Sequence, residues 1–532
     1  MLAAIGLYLT APKSDDFFWS DAPRHALNGA FILDLLREHP LHNLSAWAMA
    51  YYVRYPALTI LFYPPFFYGI EAVFFAMFGV SHAVAQLAVC FFAFLLGLGA
   101  YAFGRLAMGR IAALGLALML MGAPEMAFWS RQVMLDIPAY AMGVAGMVFL
   151  ALWLQRTAPA YLYLSAAALL AAVYTKYTAG YLVLPATIAA FWARGWRLFL
   201  DRHVQIVLIL GIVLSLPALY LLTHFGDANF GSVAGRPGDL PRFSPGAWLF
   251  YARQIPGQLG YAIPLLALCG LVLLVAGQLQ WRLPTWLSIM LIAWIATGYI
   301  CFSLIEVREP RHDIIILFPL IFLAAMTLDF MGRRLALGSI PVLLAGVAVY
   351  AYSVAFAAPP VVTGYRDIAA YVAGHAPKNG VVLFAGYRDG NFVFAIREHT
   401  ERPDLTLIRA DKLLLTVAVE RIRGVQEAGL DETAILSLLK SAGVSMVVAQ
   451  ADFWQDIPQM ARLYNVLRGD AFHLDRSFPI IGDLSLNDGR DANGNGRVDI
   501  FQATYPVKQD GKVMTYDLPI VGHTVTGRIG AQ

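Results

Sequence analysis

Residues 82–104 read HAVAQLAVCFFAFLLGLGAYAFG. The run holds no Asp, Glu, Lys or Arg, and it exceeds the roughly 20 residues that cross a bilayer as a helix. In hydrocarbon every backbone amide must be satisfied within the segment, so such a run is helical. Outward from it, comparable uncharged stretches occur at 137–154, 158–175, 177–193, 204–223, 261–280, 283–305 and 335–364, with two shorter ones at 111–124 and 314–328. Together with the apolar N-terminal segment, about eleven membrane helices are expected. That segment, MLAAIGLYLT, is too short to span and lacks a basic n-region. It reads as the outer end of a first helix rather than as a signal peptide.

Composition supports a mainly α, polytopic membrane fold. The chain is 59% hydrophobic and 14% charged, against about 25% charged in soluble proteins. Charge is scarce in the membrane part and ordinary in the tail, which divides the chain into a membrane domain, 1–358, and a soluble domain, 359–532. A net charge of +3 without a basic tail implies no nucleic-acid partner. Cys90, Cys269 and Cys301 all lie in apolar runs without metal spacing and read as packing residues.

Basic residues set the orientation. Arg105, Arg110, Arg156, Arg194, Arg197, Arg202, Arg282, Arg333 and Arg334 share one side if 59–79 lies at the interface instead of crossing. That side is then the cytoplasm of a multi-pass protein in the plasma (inner) membrane. Residues 12–81 become the first extracytoplasmic loop, and the C-terminal domain is periplasmic or extracellular. The remaining polar residues then gather at the outer face: Asp15, Asp16, Asp21, Arg24, His25, Arg54, Arg131, Asp136, Lys176, Glu306, Arg308, Arg311 and His312. Headgroup anchoring is one explanation. A shared site is the other, because ionisable groups at membrane depth are costly and usually functional.

Local motifs leave each role open. Asp21 precedes a helical pattern at Ala26, Ala30, Leu33 and Leu36, with Pro23 in the first turn, so it suits an N-cap held by backbone amides as well as a site. Asp136, in the short link Ser130–Pro138, suits a cap too. Lys176 could snorkel to the surface. In Glu306-Val-Arg308-Glu-Pro-Arg311-His312 two guanidiniums could grip a phosphate bidentately, or pair with Glu306 and Glu309.

Taken in order, these motifs resemble the GT-C membrane glycosyltransferases. The series is Asp-x-x-Arg-His in the first loop, Tyr-Pro-Pro-Phe at 63–66, Arg-x-x-x-x-Asp at 131–136, Thr-Lys at 175–176 and Arg-x-x-Arg-His before a late span. The nearest group is the protein O-mannosyltransferase and aminoarabinose lipid A transferase type (glycosyltransferase families 39 and 83), over about residues 15–330. The resemblance implies a multi-helix fold with an outer-face cavity, a polyprenyl-phosphate sugar donor and transfer to an acceptor hydroxyl with inversion. By position, Asp21 corresponds to the family's proposed general base and Asp136 to its second acidic residue. Lys176, Arg308 and Arg311 correspond to the residues facing the lipid phosphate. Arg24, His25, Arg131, Glu306 and His312 are expected around the acceptor or cavity. Two departures stand out: Asp21-Ala22-Pro23 where the family commonly has Asp-Glu, and Tyr63-Pro64-Pro65 where it often has Lys-Pro-Pro.

The chemistry agrees with that expectation. Displacing a lipid phosphate needs a base for the acceptor's proton and cations for the departing charge. Fixed cations suffice, so no cofactor is required; a divalent metal between Asp21 and Asp136 is the other option.

The tail alternates helix and strand signals, as in a small α/β domain. Tyr365–Ala373 and Glu432–Ala442 read as helices, and 380–386, Phe392–Ile396, Leu405–Arg409 and Val444–Ala449 as strands. Asp491, Asn493, Asn495 and Asp499 occupy positions 1, 3, 5 and 9 of a calcium-loop pattern, so a structural Ca2+ or a plain polar turn is expected there.

Two other classes compete. A transporter or flippase-like protein for a lipid-linked sugar would also carry a charged cavity, but it should show internal repeats, and none is seen. A non-catalytic assembly protein leaves the membrane-depth charges unexplained.

Overall fold

The computed structural model describes every residue except 41, 227–234, 236–237, 280–282, 418–420, 422–423, 483–494, 508–512, 519–522 and 529–532. All the apolar stretches contain helix, and the chain is a multi-pass membrane protein. Five helices are long and apolar enough to span singly: His82–Gly104, Asp136–Arg156, Arg202–Phe225, Thr285–Ser303 and Pro310–Arg334. A sixth candidate is the pair Pro245–Leu259 and Ala262–Val275, bent by 115°. Phe66–Phe78, Arg110–Gly122, Pro159–Val173 and Ile340–Ala355 are apolar but shorter.

The expectation of about eleven crossings therefore exceeds what helix length supports, for local reasons. The stretch 177–193 opens as a 3-10 turn, Tyr177–Leu182, before Val183–Arg194 becomes α-helical. The stretch 335–364 is helical only over Ile340–Ala355, and Pro359-Pro360 cannot continue a helix.

Helix Arg202–Phe225 leaves Ile212 and Leu216 exposed, as a lipid-facing helix does. Inside, Phe103 meets Phe318 and Phe322 edge-on at 5.2 and 5.4 Å. Helices Arg110–Gly122 and Ile340–Ala355 touch backbone to backbone at Gly115 and Gly346, where a Cβ would strike main chain. Small residues permit that approach in a membrane.

The tail forms a mixed five-stranded sheet in the order Thr406–Arg409, Val381–Ala385, Val444–Gln450, Gly496–Ala503, Phe472–Ile480. The first three strands pair in parallel, and Gly496–Ala503 pairs antiparallel with its neighbour on either side. Phe392–Ile396, expected as a strand, lies instead in the helix Asp389–Glu398. All five of its side chains are buried, and a short continuous apolar run looks alike in a buried strand and a buried helix. That helix packs against Ala22–Glu38 of the first loop.

A backbone seam joins the tail to the rest. Asp16 bridges Val362, and Thr363 bridges Ile481. Gly482 (φ 76°) and Gly364 (φ 126°) lie at this seam. A Cβ on Gly482 would collide with the Val361 carbonyl, so both the backbone conformation and the space call for glycine.

Candidate active site

Asp21 stands at the N-cap of helix Ala22–Glu38, but its carboxylate caps nothing. It faces Arg311, with Nη2 3.8 Å from Oδ2, and 45% of its side chain remains exposed. The expectation that backbone amides hold Asp21 is corrected: its residue is αR, with φ −79° and ψ −27°, outside the extended region usual for a capping residue.

Asp136 opens the span Asp136–Arg156 and is buried, its Oδ1 taking Lys176 Nζ at 2.6 Å. Lys176 leads into the turn Tyr177–Leu182. The neighbouring Tyr174 carbonyl accepts the amide of Phe66 at 3.0 Å, which stitches the Tyr63-Pro64-Pro65 segment to the Thr175-Lys176 link.

Arg311 sits on the 3-10 turn Pro310–Ile316, its Nε bonded to Glu309 at 2.6 Å. Its guanidinium lies 5.8 Å from both the Trp19 and Trp129 rings, whose centroids are 5.2 Å apart. Aromatic faces attract a cation and shield it from water.

His25, one turn along from Asp21, ties the cluster together. It is buried, its Nδ1 lies 2.9 Å from the Tyr68 hydroxyl, and the charges acting on it are Asp21, Asp136, Arg311 and Lys176. Tyr63 is 5.7 Å from it, ring to ring, and sits among Asp21, Arg311, Asp136 and Glu309. His312 is half-buried in the field of Lys176, Arg311 and Asp136. Carboxylates and cations from four separate places in the chain thus meet.

Four expected residues do not join them. Arg24 points at the C-terminal sheet domain, where it clasps Asp389 at 2.7 and 2.9 Å. Arg131 is buried with Nε on the Ala127 carbonyl, beside Cys90 and Tyr350. Glu306 accepts from the Gly235 amide at 2.8 Å and pairs with Arg242 at 3.3 Å. Arg308 donates to the carbonyls of Leu240, Ser303 and Glu306. These carbonyls tie Arg308 to its own turn and to the segment that holds Leu240. Sequence reasoning missed Trp19, Trp129 and Tyr68, whose positions follow only from packing, and read Glu309 merely as a partner for Arg311.

Among the described residues no three His, Cys, Asp or Glu side chains gather as a metal cage. Asp136 is already engaged by an ammonium, so the pair Asp21 and Asp136 does not fit a divalent cation. In the expected calcium loop, Asp491 and Asn493 lie outside the described residues. Asp499 is a strand residue whose carboxylate takes Ser477 at 2.6 Å and Arg497 at 2.9 Å.

Comparison with known proteins bears on the fold. The profile of the dolichyl-phosphate-mannose-protein mannosyltransferase family matches residues 63–221. Curated proteins give no sequence match. Among solved structures, ArnT from Cupriavidus metallidurans bound to undecaprenyl phosphate superposes with a TM-score of 0.60 at 15% identity, covering 94% of this chain and 96% of that one. The oligosaccharyltransferase of Archaeoglobus fulgidus gives 0.54 at 12% identity, over 87% of this chain and 70% of that one. Arabinofuranosyltransferase AftD from Mycobacteria gives 0.51 at 15% identity, over 97% of this chain and 42% of that one. The chain is a multi-pass membrane protein built on the GT-C fold, the fold of membrane glycosyltransferases.

Proposed function

We propose that the chain moves a sugar from a polyprenyl-phosphate donor to an acceptor hydroxyl, inverting the anomeric carbon, at the outer face of the plasma membrane. The C-terminal domain then lies on that same side. One observation carries the reading: Asp21, Asp136, Lys176 and Arg311 converge around His25. The undecaprenyl phosphate in ArnT and the dolichol-phosphate in archaeal AglB support a lipid of this class as donor.

Asp21 is the base because it is the most exposed carboxylate of the cluster, with its side chain 45% accessible against 3% for Asp136. An acceptor can reach it, and the 3.8 Å gap to Arg311 leaves its oxygens free to take a proton. As the acceptor oxygen bonds to the anomeric carbon, the bond from that carbon to the phosphate oxygen breaks. The charge left on the phosphate faces Arg311, with Lys176 behind it. Asp136 fixes Lys176 and serves as a positioning residue.

Asp21→Asn keeps the size of the side chain and removes the base. Transfer should fall about a hundredfold or more while insertion and detergent melting stay unchanged. Mass spectrometry of membrane lipids and glycans from cells carrying either form reads the product. Full activity in purified Asp21→Asn would remove the base from this scheme.

A further inference from the structure

Three side chains fix where the Arg311 guanidinium stands. Glu309 takes its Nε at 2.6 Å, and the Trp19 and Trp129 rings stand against it, each 5.8 Å from its central carbon. Trp129 ends the helix Pro124–Trp129, is 4% exposed, and has its Nε1 tied to Glu125 at 2.7 Å. Trp19 differs from both. It belongs to the first loop, two residues before Asp21, and is half-buried. Its Nε1 is buried and has no hydrogen-bond partner among the described residues.

A tryptophan that merely anchors a loop at the membrane surface keeps its N–H on the wet side. Here the N–H is buried and unmet, so the ring, tilted against Trp129 at 5.2 Å, accounts for the placement. The backbone before it is fixed from the opposite side. Asn391 holds the Phe17 amide and carbonyl, both at 3.0 Å, and Arg388 donates to the carbonyls of Phe17 and Phe18. The Phe18 ring lies 5.8 Å from the Arg388 guanidinium and meets Trp19 edge-on at 5.6 Å. The Trp19 carbonyl then takes the Ala22 amide at 3.1 Å. Trp19 thus joins the loop held by the C-terminal sheet domain to Arg311.

An aromatic face attracts a guanidinium without using up an N–H donor. Glu309 occupies only the Nε edge, so the terminal nitrogens stay available to a phosphate. A cation placed in advance also loses less side-chain freedom when it grips its ligand.

We infer that Trp19 is a positioning residue for transfer, its ring holding the Arg311 guanidinium in place for the donor phosphate. This rests on the donor reading above and adds the residue through which the clamped first loop reaches the leaving-group cation.

A double-mutant cycle tests it, with undecaprenyl phosphate titrated onto each purified form in detergent. In the wild-type background Trp19→Ala should weaken binding about tenfold and Trp19→Phe, which keeps a smaller ring, about threefold. In an Arg311→Gln background both substitutions should cost less than about twofold, because the guanidinium they act through is gone. A prop for the fold, or a ring that touches the lipid itself, would cost the same in both backgrounds, and that result overturns the inference. So does unchanged binding by Trp19→Ala. Detergent melting reports whether each form is folded; Trp19→Phe carries the same comparison if Trp19→Ala is not. A folded wild type that holds no undecaprenyl phosphate overturns the donor reading, and this role falls with it.

Discussion

Burial pushes the His25 imidazole down to about 4, Asp21 and Asp136 pull it back up, and Arg311 and Lys176 oppose them. The ring is therefore neutral at pH 7 and shares a proton with Tyr68 across 2.9 Å. Because the folded value lies below the ordinary one of 6.5, the folded protein binds fewer protons than the unfolded chain between these limits. Stability from this residue is complete above about 6.5 and is lost as the pH falls toward about 4. Melting in detergent, followed across that window, should drop for wild type and flatten for His25→Gln. Equal slopes would assign the acid loss elsewhere. At this scale the motifs pointed to Asp21, Asp136, Lys176 and Arg311. They could not separate Arg308 from Arg311, nor Arg24 from His25, because spacing does not say which way a guanidinium turns.

Helix Ala22–Glu38, which follows directly on Asp21, is bolted along its length to Asp389–Glu398. Arg24 grips Asp389 near one pair of ends, and Arg397 grips Asp34 at 2.7 and 2.8 Å near the other, so the two helices run parallel. Asp389 also takes Arg409 at 2.7 Å. Asn391 accepts the Phe17 amide and donates to its carbonyl, both at 3.0 Å. Asp389→Ala takes the carboxylate from Arg24, while Arg409 keeps Asp411 at 2.7 Å. Stability should fall by about 2 kcal/mol, less than for a dry pair because Arg24 is 21% exposed. Arg24→Ala together with Asp389→Ala should recover part of it, with a coupling of about 1 kcal/mol in urea melts. Strict additivity would mean that the bolt carries no energy. The polar, ordinary-looking sequence of helix Ala22–Glu38 signalled an amphipathic helix, and Ala26, Ala30 and Leu33 are indeed buried, whereas Leu36 is exposed. Its partner escaped notice because that helix was read as a strand.

In parallel α/β sheets, ligands sit outside the carboxyl ends of the strands. Here that crevice holds the protein's own first loop. Arg388, just past strand Val381–Ala385, donates to the carbonyls of Phe17 and Phe18, and Arg409, ending its strand, donates to that of Pro56. The C-terminal sheet domain thus clamps the loop that carries Asp21. The seam at Gly482 secures the clamp. Gly482→Val forces a branched side chain into a positive-φ site against Val361 and should loosen the domain. Limited proteolysis should then cut within 12–40 much faster and transfer should fall, with membrane insertion unaffected. Unchanged protection of 12–40 would show that the first loop holds itself.

Local chemistry written along the chain was enough to establish that the apolar stretches are helical, the helix behind Asp21 and the three parallel strands of the tail. Hydrophobic runs and turn residues act over a few positions, so they can be read one window at a time. The chain order could not reveal that Lys176 would be spent on Asp136, that Arg24 would leave the cluster for Asp389, or that the C-terminal sheet would grip the first loop. Those outcomes depend on which charges meet when distant segments pack, since a buried charge takes the partner that packing puts within reach.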